Sequence, residues 1–115
     1  MRSGCIMGER DPHGRFKGAC ILTEERPPIW RHGEDALYLG SLAVARAEAG
    51  THLGHAILDA AAEYAGNREL RLDCWAGSKM LCAYYAEAGF TDRGTASEAD
   101  FTVRRFSRAG GNARA

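Results

Sequence analysis

The sequence predicts an α/β fold of the α+β type, with a mixed, largely antiparallel sheet that contains one parallel βαβ unit. A helical repeat lies between two apolar runs, at 36–44 and 70–75. Strands joined through a helix in this way are typically parallel, with a right-handed crossover. The flanking segments have the turns and alternation of hairpins. At 115 residues we expect one domain over 1–107 and a flexible tail over 108–115.

The first predicted element is a hairpin within 4–25. Asp11, Pro12, His13 and Gly14 supply a turn initiator, a fixed φ and a final glycine. Two prolines at 27 and 28 then exclude a ladder strand, because proline donates no backbone hydrogen bond. The chain is therefore expected to leave the sheet after the first hairpin.

The run "ALYLGSLAV" at 36–44 predicts a central strand that is covered on both faces. Gly40 in its interior indicates either a bulge or a close approach by another backbone or a ligand. A helix is expected over about 51–64, closed by Gly66 and Asn67, with a second buried strand at 70–75.

The last predicted elements are a second helix and a hairpin. Ser78 is a suitable N-cap for a helix over 79–88 that ends at Gly89. The segment "FTDRGTASEADFTVRRF" is typical of a hairpin, with 101–106 as its second strand. The order of elements is thus hairpin, βαβ unit, helix, hairpin.

Composition and charge give no indication of a nucleic-acid or membrane partner. Fifteen basic side chains balance fifteen acidic ones, and 45% of residues are hydrophobic. The N-terminus has no long apolar stretch, so we expect a soluble, cytoplasmic protein. The four cysteines form no CxxC pair, and the four histidines complete no zinc spacing. We therefore expect no metal, and buried thiols rather than disulfides.

The segment "AGTHLGHAIL" at 49–58 is a glycine-containing loop that runs directly into the first helix. Such a join is either a plain turn or a cradle of backbone N–H groups for a phosphate. The chain has neither GxGxxG nor GxxxxGK[ST], which argues against a dinucleotide fold and a P-loop NTPase. Tyr84 and Tyr85 point about 100° apart on the second helix, so one can enter the core while the other faces the groove.

Two blocks of the sequence together resemble the GNAT family of N-acetyltransferases. "LGSLAVARAEAGTHLGHAILDAAAEYA" is similar to that family's acetyl-CoA segment, a strand ending in L-A-V, a glycine-rich turn and a helix. "LRLDCWAGSKMLCAYYAEAGF" is similar to its next block, a strand followed by N-x-x-x-x-x-F/Y-Y-x-x-x-G-F. The resemblance runs over about 35–90. The family's N-terminal strand and two helices have no counterpart here, so we expect an open sheet edge and self-association, with a homodimer as one form.

The resemblance implies that acetyl-CoA is the co-substrate and that a primary amine, on a small molecule or a protein, attacks its thioester directly. The pantetheine arm would pair with the strand end, and the pyrophosphate would rest on the loop and helix start. The cofactor-binding residues implied are Leu42, Ala43, Val44, Ala49, Gly50, Thr51, His52, Leu53 and Gly54, with Ser78 at the start of the second helix. Tyr85 would protonate the leaving thiolate. Glu25, Glu34 and Asp35 are open alternatives for the general base.

Three departures from the family pattern bear on function. In the family's Q/R-x-x-G-x-G/A turn, Ala49 and His52 replace the first two defined residues, while Gly54 matches the third. Ser78 replaces the asparagine of the second block. His52 either obstructs a phosphate, donates an N–H to it, or points to solvent. An active N-acetyltransferase and a non-catalytic relative that binds CoA or a partner chain therefore both stand as hypotheses. The two blocks argue against an unrelated nucleotide-binding module.

Overall fold

The computed structural model describes residues 4–31, 35–98 and 100–111. Its elements are β1 (Gly4–Arg10), β2 (Phe16–Thr23), β3 (Ala36–Val44), α1 (Leu53–Ala65), β4 (Glu69–Trp75), α2 (Lys79–Glu87), β5 (Thr91–Glu98) and β6 (Phe101–Ala109). The six strands form one sheet in the order β1-β2-β3-β4-β6-β5. All neighbouring strands are antiparallel except β3 and β4, which confirms the predicted fold class.

The first hairpin forms at the predicted turn. The carboxylate of Asp11 accepts hydrogen bonds from the backbone N–H groups of His13 and Arg15, both at 2.8 Å. Gly14 adopts a φ of +84°, a conformation that glycine reaches without steric cost. The resulting strand β1 lies at the edge of the sheet, and Ile6 on it is 76% exposed.

The βαβ unit is present, with α1 shifted by two residues at its start. Thr51 closes a turn by donating its N–H to the Glu48 carbonyl, and His52 adopts a left-handed conformation, so helical geometry begins at Leu53. At the other end, Gly66 at the C-cap has a φ of +66°. The helix then delivers the chain to β4, parallel to β3.

The sheet carries a core on each face. The face that packs against α1 and α2 holds the larger core, which includes Leu58, Leu70 and Phe106. Five α1 residues besides Gly54 are buried there, at the 3–4-residue spacing of an amphipathic helix: Ile57, Leu58, Ala61, Ala62 and Ala65. The opposite face holds a smaller cluster around Trp30 and Tyr38, covered by the segment that follows β2.

The sequence predicted that strand β3 is covered on both faces, but the structure shows this cover over only part of its length. Its first four residues are buried, but Gly40, Ser41, Ala43 and Val44 are exposed. The reason is that β4 runs beside β3 only over its first three residues. Gly40 is the extra residue of a bulge, since Leu22 pairs with Leu39 while Ile21 pairs with Ser41.

The predicted start of the tail at residue 108 is wrong, because β6 continues to Ala109. The Arg108 side chain is buried and donates to Asp59 Oδ1 at 2.8 Å and to the Ala88 carbonyl at 3.1 Å. The N–H of Gly111 also donates to the Ala62 carbonyl at 2.6 Å. These hydrogen bonds hold the end of β6 and the residues after it against the two helices, although the segment is polar. Residues 112–115 lie outside the described residues.

Candidate functional site

The site begins where β3 and β4 separate. The two strands pair only from Ala36 opposite Glu69 to Tyr38 opposite Arg71. Beyond that point β3 pairs with β2 alone and β4 with β6 alone. A gap therefore opens between the facing edges of the two strands, and the peptide groups along it are not bonded across the sheet. This opening is bordered by residues 39–44 on one side and 72–75 on the other.

An open cavity of about 410 Å³ lies beside this opening, within the size range of small-ligand sites. Three segments line it: the end of β3 with the loop after it, the first turn of α1, and one face of α2. The cavity thus joins the separated strands to the N-terminus of a 13-residue helix.

The N-terminus of α1 has no side-chain cap. His52 is the N-cap residue, and its side chain accepts no hydrogen bond from the helix. Its φ of +63° and ψ of 19° are left-handed, a conformation that glycine adopts more readily than histidine. The first helical N–H groups lack intrahelical partners and carry the positive end of the helix dipole, so this end is suited to an anion.

Most of the predicted cofactor residues border the cavity, but not all. Six of them line it: Val44, Ala49, Gly50, His52, Leu53 and Gly54. Leu42 and Ala43 lie further back along β3, at the strand opening, and Thr51 is on the outside of the loop with its N–H and hydroxyl both bonded to the Glu48 carbonyl. The Ala49 N–H donates to Arg46 at 3.1 Å. Of the backbone amides at 49–54, those of Ala49 and Thr51 are therefore used within the loop.

Ser78 does not line the cavity and instead caps α2. Its hydroxyl accepts a hydrogen bond from the Leu81 N–H at 3.2 Å. This is the cap that the sequence predicts, and it satisfies one of the first N–H groups of that helix. A direct role for Ser78 in cofactor binding stays a prediction.

Charge in the cavity wall is mixed rather than strongly positive. Arg46 is opposed by Glu48 and Glu87, so the side chains provide little net attraction for an anion. His55, which the sequence did not single out, contributes Nε2, a buried side-chain atom with no hydrogen-bond partner among the described residues. Attraction for a phosphate therefore depends on the end of α1 and the two histidines.

Tyr84 is the tyrosine that faces the cavity. Its ring packs on that of His55 with centroids 4.5 Å apart, and its hydroxyl lies against Gly54. Burial raises the pKa of the Tyr84 phenol. The sequence indicated only that one of the two neighbouring tyrosines can face the groove, and packing decided which of them lines the cavity.

Tyr85 is buried near the C-terminal end of α2, with 8% of its surface exposed. Its ring contacts Phe90 and Phe106 with centroids 6.1 and 5.9 Å apart. Burial, assisted by Cys74, Tyr84 and Asp73, raises its pKa to about 12. Phe106 pairs with Leu72 on β4, so its contact with Tyr85 puts that ring beside the open part of the strand. Its role as a catalytic acid stays a prediction.

Asp73 is a carboxylate that sequence reasoning missed. It lies on β4 just beyond the last residue paired to β3, and it is exposed. The signal was available, because an acidic residue interrupts the otherwise apolar end of "LRLDCW". Neither Glu25 nor Asp35 lines the cavity, and Asp35 precedes β3 at the closed end of the strand pair. Glu34 lies outside the described residues.

The described residues lack both a helix that could span a membrane and a side-chain cluster that could hold a metal ion. Across 4–31, 35–98 and 100–111, no helix is long and apolar enough to cross a membrane. The same residues contain no group of three or more His, Cys, Asp or Glu side chains placed to hold a metal ion.

Comparison with known proteins gives one family. The model of the Acetyltransferase (GNAT) family matches residues 2–90. A search of curated proteins found no match.

Solved structures are similar over most of this chain. They include a variant of a spermidine N-acetyltransferase from Vibrio cholerae (TM-score 0.73, 15% identity, 92% of this chain and 65% of that one). A nourseothricin acetyltransferase has TM-score 0.72 and 18% identity, with 93% and 65% covered. An acetyltransferase from Bacillus cereus ATCC 14579 has TM-score 0.66 and 15% identity, with 94% and 74% covered. This chain thus spans less than two thirds of the first two, and at these identities the likeness shows the fold alone.

Proposed function

Because the chain belongs to the Acetyltransferase (GNAT) family, we propose that it transfers the acetyl group of acetyl-CoA to a primary amine by direct attack of the amine on the thioester. The observation that carries this proposal is the opening between β3 and β4 beside the uncapped N-terminus of α1. Together they offer backbone groups for an amide-containing arm and a helix end for its phosphates.

The residues present fit an acetyl-CoA molecule in two ways. The β3 edge at Leu42, Ala43 and Val44 is without a β4 neighbour, so an extended pantetheine arm can add to it as a strand does. The amides that begin α1, from His52 to Gly54, are suited to the pyrophosphate. We assign Gly50 and Ala49 to the wall of that same subsite, and Thr51 to holding the loop.

Tyr85 is the group that we assign to the leaving sulfur. A pKa of about 12 lies well above the ordinary thiol pKa of about 8.5, so full proton transfer to a thiolate is uphill. The phenol is instead suited to donate a hydrogen bond that stabilises charge on the sulfur as the bond to it breaks. Acetyl-CoA supplies the activated acetyl group, and Tyr85 stays protonated throughout the neutral range.

Asp73 is the residue that we assign to the acceptor amine. An alkyl amine has a pKa near 10.4, so it is largely protonated at neutral pH and must lose a proton before it attacks. Asp73 is an exposed carboxylate at the open end of β4, and its charge acts on Tyr85. A carboxylate there attracts the ammonium group and holds it beside water, which takes up the proton that the amine loses before it attacks.

The acceptor, partners and location follow as further proposals. Spermidine and nourseothricin occur in the names of similar structures, and we take a primary amine, on a small molecule or a protein, as the acceptor class. The equal numbers of basic and acidic side chains favour neither nucleic acid nor membrane as a partner, and a homodimer is the assembly we propose. Thiols at Cys74 and Cys82 suit a cytoplasmic location.

Calorimetric titration with acetyl-CoA, followed by a thiol-release assay with a panel of amines that includes spermidine, tests the proposal. We expect binding below about 1 mM and thiol release with at least one amine. S-acetylpantetheine, which has no pyrophosphate, is the ligand control and should bind more weakly. Binding without thiol release across the panel would establish the non-catalytic alternative. Absence of binding would overturn the transferase and leave only a non-catalytic relative that binds a partner chain.

A further inference from the structure

Two cysteines meet where β4 passes under α2. Cys74 lies near the end of β4, and Cys82 lies in the first turns of α2. Their sulfur atoms are 3.8 Å apart. Only three residues connect the strand to the helix, so the first turns of α2 are held over the end of β4. The short distance between the sulfurs is therefore set by the connection itself.

We propose that Cys74 and Cys82 form a redox-sensitive dithiol that closes to an intramolecular disulfide when a low-molecular-weight disulfide oxidises it. A disulfide has sulfurs about 2.05 Å apart, so the pair must close by about 1.8 Å. Rotation of the Cys74 side chain on β4 and of the Cys82 side chain on α2 provides movement of this size. The inference rests on the geometry of the two thiols and not on the proposed transferase activity.

The reaction proceeds in two exchange steps. A thiolate of the protein attacks the small disulfide, forms a mixed disulfide and releases one small thiolate, which takes up the proton that the protein gave up. The second cysteine, as a thiolate, then attacks the protein sulfur of that mixed disulfide and releases the second small thiol. In total, two protein thiols are oxidised to one disulfide, and one small disulfide is reduced to two thiols.

The surroundings of the two sulfurs assign the order of attack. Cys82 is half-buried on the helix, whereas Cys74 is buried at 8% exposure. Burial, with the neighbouring Cys82 and Asp73, raises the pKa of Cys74 to about 12. The Cys82 thiol therefore meets the oxidant first, and Cys74 resolves the mixed disulfide. Because the Cys74 thiolate is scarce, we expect this second step to be slow.

The disulfide would act on the helix that carries both tyrosines of the site. Tyr85 is the single buried residue of α2, whereas α1 has six buried residues. A helix with so little buried surface is the one most affected by a covalent link to the sheet. Cys74 also contributes to the raised pKa of Tyr85, so one of the two thiols acts on that phenol. Oxidation would thus fix α2 on β4 next to the strand opening.

Peptide mapping tests this directly, because Lys79 lies between the two cysteines. The protein is incubated with oxidised glutathione, alkylated and digested with trypsin, which cuts after Arg71, Lys79 and Arg93. We expect residues 72–79 and 80–93 to appear as one disulfide-linked pair that separates on reduction. The link should form about tenfold faster than any link to Cys20, which is buried in the core.

Cys82→Ser is the matched variant and should remove the linked pair while leaving the other tryptic peptides unchanged. Hydrogen exchange supplies a second readout, with slower exchange of α2 amides in the oxidised wild-type protein and no such change in Cys82→Ser. A stable glutathione adduct on Cys82 without the linked pair would overturn the proposal. A predominant link from Cys5 to either residue would also overturn it.

Discussion

The Tyr84 hydroxyl occupies the position that a Cβ atom on Gly54 would take. This contact joins α2 to the first turn of α1 at the wall of the cavity. Glycine at position 54 is therefore favoured by its contact with the neighbouring helix and not by backbone conformation, since its φ is not positive. The same contact keeps a tyrosine ring at the edge of the proposed pyrophosphate subsite.

Gly54→Ala should lower the free energy of unfolding by about 1–3 kcal/mol, because the new methyl group overlaps the Tyr84 hydroxyl. In a Tyr84→Phe background the loss should nearly vanish, since the next atoms are at 3.2 and 3.6 Å and alanine favours the helix. Urea denaturation of the four proteins measures both effects. Equal losses in the two backgrounds would contradict the contact. Gly40→Ala, with its nearest atom at 3.9 Å, is the control.

His52→Gly should be more stable than His52→Ala by about 0.5–1 kcal/mol. Residue 52 has a φ of +63°, where a Cβ atom is strained, while the entropy of glycine in the unfolded chain offsets part of the gain. Both variants lack the imidazole, so the pair isolates the backbone effect. If acetyl-CoA affinity changes equally in both, the imidazole is responsible. An alanine variant at least as stable as the glycine variant would refute the strain at this residue.

Tyr85→Phe should reduce thiol release by about 10²-fold or more, while acetyl-CoA affinity stays within a few-fold, because the lost hydrogen bond acts on the leaving sulfur. Steady-state rates and calorimetry separate the two effects. Tyr84→Phe is the matched control: it faces the cavity and should alter affinity more than rate. A rate unchanged by Tyr85→Phe would remove Tyr85 from the mechanism.

The raised pKa of Tyr85 predicts a loss of stability in alkaline solution. Unfolded tyrosine ionises near pH 10, whereas Tyr85 in the folded protein ionises at about 12. The folded state thus holds its proton more tightly, so this stabilising contribution is complete below pH 10 and lost as the pH rises to about 12. It amounts to at most about 2–3 kcal/mol. Urea denaturation at about pH 9 and pH 11 should show a steeper loss in wild type than in Tyr85→Phe. Parallel losses would contradict this.

The side chains of Arg108 and Asp59 should contribute to the free energy of unfolding in a coupled way. Arg108 is buried and also donates to the Ala88 carbonyl, but Asp59 is half-exposed, which reduces the coupling to about 1–2 kcal/mol. A double-mutant cycle with Arg108→Met and Asp59→Asn measures it. The pair of Arg68 and Glu24, both more exposed, is the control and should give at most about 1 kcal/mol. Coupling no larger than that of the control would show that the β6 end is held by other contacts.

Local sequence signals determined the elements of the fold. Asp11 specifies a turn because its side chain accepts backbone hydrogen bonds, and Gly14 because it adopts a positive φ without strain. Ser78 caps α2 by accepting a hydrogen bond from the residue three positions further along the chain. The helical repeat between two apolar strands fixed the parallel βαβ unit. These features depend on neighbours in the chain, so they can be predicted without knowing what packs against them.

Only the tertiary structure decided how residues distant in the sequence meet. It separated β3 from β4 after Tyr38, turned Tyr84 rather than Tyr85 to the cavity, and buried Arg108 between two helices. It also brought the exposed Asp73 to the open end of β4. Each outcome depends on which surface another element presents, and no pattern within a single segment carries that information.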